Sequence, residues 1–181
     1  MRLSIISVMA CILFGSPVMA TPEEEEKQFE LEYEQQKQSA KETIPSIVER
    51  YALSFGCVFN MQKDNVVELK NWKELSYLSL YSLDLGCSGG SAMSRPYFVV
   101  LSNYDRSHPQ HIFVNPKYSL PSQTSDSFPQ TITGIYAKGE KIYYSALEFD
   151  FAKDARCCPS VKVEGELVFE EGRWKPMQSK K

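Results

Sequence analysis

Phe55-Gly56-Cys57-Val58-Phe59-Asn60-Met61 is the stretch on which the fold turns. Residues 55, 57, 59 and 61 are apolar or cysteine and alternate with 56, 58 and 60, a period of two that reads as a strand. Upstream of it the apolar residues recur at steps of three and four. Downstream, short alternating runs are separated by turn residues. A helix followed by nothing but strands is an α+β pattern.

Working toward the N-terminus, Thr21-Pro22-Glu23-Glu24 reads as a helix start, with Thr21 as cap, Pro22 in the first turn and Glu24 at capping-box spacing. Phe29, Tyr33, Ala40, Ile44, Ile47 and Tyr51 then fall on one helical face, and Gln35, Gln36, Lys37, Gln38 and Lys41 cover the other. Pro45 predicts a break near Ile44 and a second short helix from Ser46 to Leu53. Between Glu23 and Arg50 nine glutamates meet four basic residues, whereas from Tyr51 onward the charges nearly balance. Glutamates at 23–26 suit a helix N-terminus. Without a clustered basic face, a nucleic-acid partner is not expected.

The first twenty residues form a unit of their own. Arg2 precedes an apolar run from Leu3 to Phe14, shorter than a membrane span, and Gly15-Ser16-Pro17 breaks it. Val18-Met19-Ala20 places small residues where a signal peptidase reads them. The expectation is a signal peptide over 1–20, cleaved after Ala20, and a periplasmic or secreted protein with no stable membrane insertion afterwards. A lipoprotein leader ending at Cys11 would strand Cys11–Ala20 as an apolar tail.

Toward the C-terminus, strands are predicted at Val66–Lys70, Tyr77–Leu85, Tyr97–Tyr104 and His111–Val114. Two hairpins follow, Thr131–Ala137 with Lys141–Phe151 and Val161–Phe169 with Arg173–Met177, turning at Lys138-Gly139-Glu140 and Glu170-Glu171-Gly172. Asn115–Gln130, with three prolines, is the long irregular loop, a common place for function. The whole predicts an acidic helical arm over 21–53. It packs on a curved, mostly antiparallel sheet of about six to eight strands over 54–181, in one disulfide-stabilised domain. In element order this is similar to cystatin-like and nuclear-transport-factor-like half-barrels. The concave face is expected to carry a pocket lined by Tyr77, Tyr81, Tyr97 or Tyr143.

Four cysteines remain after the leader: Cys57, Cys87, Cys157 and Cys158. They allow three pairings. Cys57–Cys87, both at strand ends and both preceded by glycine, would leave Cys157–Cys158 as a vicinal bond; the other two pairings tie Cys57 and Cys87 to that vicinal pair. No Cys-x-x-Cys is present to suggest a thiol oxidoreductase. Gly86-Cys87-Ser88-Gly89-Gly90 has Gly-x-Ser-x-Gly spacing, and it resembles the serine loop of trypsin-like proteases with Cys87 in place of the aspartate. It leads into a strand instead of the helix of a nucleophile elbow. His108 and His111, with Asp105, have a metal-like look, but Pro109 prevents the helix that would align them and zinc needs three or four ligands. Arg95 beside the glycine-rich loop and Arg156 beside the double cysteine have the planar fork that suits an anion.

Asp154-Ala155-Arg156-Cys157-Cys158-Pro159-Ser160, followed by a strand, a turn with Gly172 and Trp174, resembles the C-terminal half of LppP/LprE-type secreted lipoproteins. The likeness covers residues 131–177. It implies an extracytoplasmic domain and carries no catalytic residue to this chain, which departs from the family in its lipid-attachment cysteine. The resulting expectation is an exported, non-enzymatic binding protein that needs no cofactor or metal. Its partner would be another exported protein, as for an inhibitor or immunity-type factor. The alternatives are a small-ligand binder using the concave face, and a hydrolase or thiol enzyme at Ser88 or Cys157/Cys158.

Overall fold

The computed structural model describes residues 21–89, 93–105, 107–155 and 158–178. The leader with its cleavage site, and Arg156 and Cys157, lie outside the described residues.

Helix α1 runs without a break from Pro22 to Ala52. Its start is as expected: the Thr21 N–H donates to the Glu24 carboxylate at 2.8 Å, which holds the Glu24 carboxyl below its ordinary value. The break expected at Pro45 is absent. Proline removes one N–H and crowds the carbonyl four residues back, that of Lys41. Lys41 is exposed, so water can satisfy that carbonyl. On the opposite side Ala40, Ile44, Val48 and Ala52, at steps of four, are completely buried. Burying a large aliphatic side chain stabilises by about 1.5–3 kcal/mol, so Ile44 and Val48 on either side of Pro45 hold the helix together across it. Only this C-terminal part is buried, with the Lys37–Glu68 ion pair at 3.5 Å just beyond it. Residues 22–39 include no buried position, and Phe29 is 68% exposed although it continues the buried stripe.

The first sheet contains β1 (Cys57–Asn60), β2 (Val66–Glu68), β3 (Leu75–Asp84), β4 (Arg95–Asn103) and β5 (Phe113–Val114), in the order β1-β3-β4-β5 with β2 also on β3. The second is a meander of β6 (Thr131–Lys138), β7 (Lys141–Glu148), β8 (Val161–Glu170) and β9 (Arg173–Gln178). Every ladder is antiparallel. The class is the expected one: an N-terminal helix on curved antiparallel β-structure with a Cys57–Cys87 disulfide. The strands are partitioned into two hydrogen-bonded sheets.

Alternation along β3 sends side chains to two different cores. Leu78 and Leu80, with Phe98 and Val100 of β4, face the second sheet and meet Ile135, Tyr144, Leu167 and Trp174. Tyr77, Tyr81 and Leu83, with Val99 and Leu101, face α1. The first sheet is therefore the middle of three layers, and β3 and β4 are buried on both faces. The second sheet is covered on one face only. In β8, Gly165 and Leu167 point inward while Lys162 and Glu164 are exposed. Gly165 is needed for close approach, since a Cβ there would lie 2.6 Å from the Tyr144 hydroxyl.

Candidate functional site at the disulfide corner

Four segments converge where α1 ends: the start of β1, the end of β3, the start of β4 and the start of β6. The chain leaves α1 through Gly56, where a Cβ would stand 2.5 Å from the Asp84 carbonyl oxygen. This close approach brings Cys57 opposite Asp84 in the ladder and allows the Cys57–Cys87 disulfide, with Cα atoms 5.1 Å apart. The Asp84 side chain is buried, and its oxygens accept from the Gly86 N–H at 3.0 Å and the Gly89 N–H at 2.8 Å. A buried carboxylate is tolerable only when its oxygens are hydrogen-bonded in this way. It gathers the Gly86–Gly89 loop under the disulfide.

The backbone is strained here. Val58 and Cys87 have φ of 56° and 49°, the left-handed region that costs a non-glycine residue roughly 1–2 kcal/mol. Val58 sits in an irregular register between Cys57 and Asn60, and its side chain is turned out to 57% exposure. Leu53, Phe55 and Leu85 are also exposed around the same corner. Apolar side chains thus stand on a backbone fixed by a covalent bond and a buried carboxylate.

Two hollows border the corner and meet at Pro96 and Gln130. The larger, about 550 Å³, lies between the first sheet and the start of β6. The smaller, about 320 Å³, is flanked by Arg95, Tyr97, Asp126 and Phe128. Arg95 is exposed and its guanidinium donates to the Ser94 carbonyl at 3.2 Å. Tyr97 stands between this hollow and the Tyr81 ring, 5.8 Å away, and burial raises its hydroxyl above the ordinary tyrosine value.

The corner unites Cys57, Cys87, Ser88, Arg95, Tyr81 and Tyr97. It does not include Tyr77 or Tyr143. Tyr77 is buried beneath α1, and Tyr143 is on the outer face of the second sheet, stacked on Tyr136 at 5.6 Å. Of the four tyrosines expected to line a pocket, Tyr81 borders the larger hollow and Tyr97 the smaller, while α1 covers Tyr77. Ser88 is exposed, but both histidines lie beyond the far end of β4, a strand of about 30 Å at 3.3–3.4 Å per residue. The Asp84 carboxylate is spent on backbone N–H groups. Ser88 consequently has no histidine base.

The histidine turn is self-contained. His108 Nδ1 lies 2.8 Å from Asp105 Oδ2 and 3.0 Å from Ser107 Oγ. A relay needs its two partners on opposite ring nitrogens, and here both use the same one. Hydrogen bonds from Ser107, then His108, bring the Asp105 carboxyl down to about 2. His111 stacks on His108 at 5.3 Å. Among the described residues no group of three or more histidine, cysteine, aspartate or glutamate side chains could hold a metal.

In the double-cysteine segment, Asp154 accepts from the Ser160 hydroxyl at 2.7 Å and from the Ser160 N–H at 2.9 Å. The Ser160 hydroxyl, then the Asp150 N–H at 2.9 Å, draw the Asp154 carboxyl below its ordinary value, and the Ser160 bonds close the loop between β7 and β8. Cys158 is disulfide-bonded. The proposed pairing of Arg95 with Arg156 involves a residue outside the described ones.

Two features of the corner escaped the sequence reading. Asp84 was hidden in an apolar strand, although an acid two residues before a Gly-x-x-Gly loop is what a carboxylate-tied turn requires. The bulge at Val58 has no local signature, because a β-branched residue is the last choice for positive φ. No family model, curated protein or solved structure matches the chain. Among the described residues no helix is long and apolar enough to cross a membrane.

Proposed function

We propose that this chain is an exported, non-enzymatic binding protein, released to the periplasm or beyond by cleavage after Ala20, which grips another exported protein at the disulfide corner. One observation carries the reading: Leu53, Phe55, Val58 and Leu85 are exposed on a backbone held by the Cys57–Cys87 bond and the Asp84 carboxylate. Exposed apolar groups on a preorganised frame associate at low entropic cost. Positive φ at Val58 supports the same view, since local strain concentrates at functional positions. The likeness of Asp154–Ser160 to LppP/LprE-type proteins, with Asp154 and Ser160 tying the loop, fits an extracytoplasmic domain of that kind. The enzymatic alternative at Ser88 has neither histidine of the chain beside it, and the small-ligand alternative would use the same hollows beside the corner.

Affinity capture with the mature protein from its native envelope tests the reading. One exported partner should return in stoichiometric amount, and Phe55→Glu or Leu85→Glu should reduce its recovery at least tenfold. Recovery of no partner across growth conditions would refute the proposal.

A further inference from the structure

The larger hollow has a lining with a definite chemical character. Among the described residues it contains no aspartate, glutamate, lysine, arginine or histidine. Its polar groups are neutral amides and hydroxyls, among them Asn60, Gln62, Ser82, Gln130 and Thr133, around the apolar side chains of Leu80 and Ile132. At about 550 Å³ it lies within the roughly 300–1,000 Å³ of ligand sites. A charged group entering it would lose hydration without finding an opposite charge. A neutral group rich in donors and acceptors would keep its hydrogen bonds.

One wall is the edge of a sheet. β6 pairs with β7 on one side only. Further along this edge the Ile135 N–H points away from β7 and is taken by Asn65 Oδ1 at 3.3 Å. Beside the hollow the edge runs through Thr131-Ile132-Thr133, with a register irregularity between Ile132 and Gly134. Proteins commonly blunt free edges with lysine, proline or a bulge. The opposite edge of this sheet, β9, carries Lys175 and Pro176; β6 has its lysine at its far end, Lys138, and its irregularity begins only after Ile132, so the segment Thr131–Ile132 beside the hollow is uncharged and proline-free. Such an edge is a template for another strand.

We propose that this hollow receives an uncharged, extended peptide segment of the partner, added antiparallel or parallel along the Thr131–Thr133 edge, with the amides and hydroxyls of the lining completing its main-chain hydrogen bonds. The inference rests on the protein-binding reading and names what is bound. A peptide is favoured over a neutral glycan because no aromatic face is offered. Tyr81 borders the hollow, but its ring is packed between Phe59 and Tyr97 at 6.0 and 5.8 Å.

The test is selection of a random twelve-residue peptide library on the mature protein with its disulfides intact. Enriched peptides should share an uncharged core of four or more residues. Their affinity should fall at least tenfold with Ser82→Arg, which fills the hollow with a charged side chain. Peptides N-methylated at alternate residues, which leave the protein untouched, should also bind at least tenfold more weakly in one of the two alternating sets. Failure to enrich, enrichment of charged cores, indifference to N-methylation, or displacement of the peptides by a neutral oligosaccharide would each overturn the inference. Capture of the native partner separates the two proposals. Equal capture by wild type and Ser82→Arg, with loss in Phe55→Glu, refutes strand addition alone, whereas no capture by any of them removes the binding reading too.

Discussion

Replacing Tyr81 with phenylalanine removes one oxygen from the layer between α1 and the first sheet. Tyr81 is 1% exposed, and its hydroxyl has no hydrogen-bond partner among the described residues. A buried hydroxyl left unpaired costs about 1–3 kcal/mol. Phenylalanine keeps the ring and its contacts with Phe59 and Tyr97, so Tyr81→Phe should stabilise the protein by about 1–3 kcal/mol. In urea, with disulfides intact, the midpoint should rise at an unchanged slope, and Tm should climb by roughly 2–4 °C per kcal/mol for a domain of this size. Burial also raises the Tyr81 hydroxyl far above the ordinary tyrosine value. A raised folded-state value means that its contribution is fully present below the unfolded value, about pH 10, and is lost as pH rises through the folded one. Above pH 10 the variant's advantage should therefore widen by about 1.4 kcal/mol per pH unit. Tyr51→Phe is the control: that hydroxyl donates to the Ser119 carbonyl at 2.7 Å, and its loss should destabilise by about 1 kcal/mol. If Tyr81→Phe is less stable than wild type by more than about 0.5 kcal/mol, beyond what a conservative substitution away from any special feature produces, the hydroxyl has a partner and the layer is not dry as argued.

Three further outcomes are expected. Replacing both Cys57 and Cys87 with serine opens a loop spanning 30 positions and should lower stability by roughly 3–4 kcal/mol in non-reducing denaturation; a change below about 1 kcal/mol would show that the corner is held by Asp84 and packing alone. Val58→Gly relieves positive φ at an exposed site, so it should leave stability within about 1 kcal/mol of wild type or raise it while weakening partner capture; a loss above about 2 kcal/mol would refute the strain assignment. In an NMR titration the Asp105 carboxyl should titrate at about 2 and move upward in Ser107→Ala, whose hydroxyl is the largest cause of the depression; an unmoved value would assign the effect elsewhere.

The switch of period at Phe55, the capped start at Thr21 and the glycine turns of the two hairpins are local properties, and each was legible from residue types a few positions apart. Pro45 was misleading because its penalty is local while the compensation comes from Ile44 and Val48 in a cluster with strand residues from Val66 to Leu101, 18 to 57 positions away. The division into two sheets was hidden for a similar reason. The alternation of Leu78 and Leu80 against Tyr77 and Tyr81 reveals two faces, but nothing in β3 says which face meets the helix and which meets β6–β9. The site was partly legible: the cysteine pair, Ser88 and Arg95 came from their glycine-rich setting. The uncharged edge at Thr131–Thr133 became visible only once β6 was known to end its sheet, since edge and centre strands share the same alternation.

The one-sided seating of α1 makes the helix a lever arm. At 1.5 Å per residue its 31 residues extend about 46 Å, of which the stretch from Ala40 to Ala52 that carries every buried position spans only about 20 Å. A tilt of about 5° about Ala40 would carry the Glu23–Glu26 tip, 14 to 17 residues or about 21–26 Å beyond it, through about 2 Å. The same projection adds drag without adding much mass, so the folded chain should diffuse and elute as a larger particle than its sequence weight. A fluorophore near Glu26 would then report, as a change in tumbling, events at the disulfide corner beside the lever's seated end.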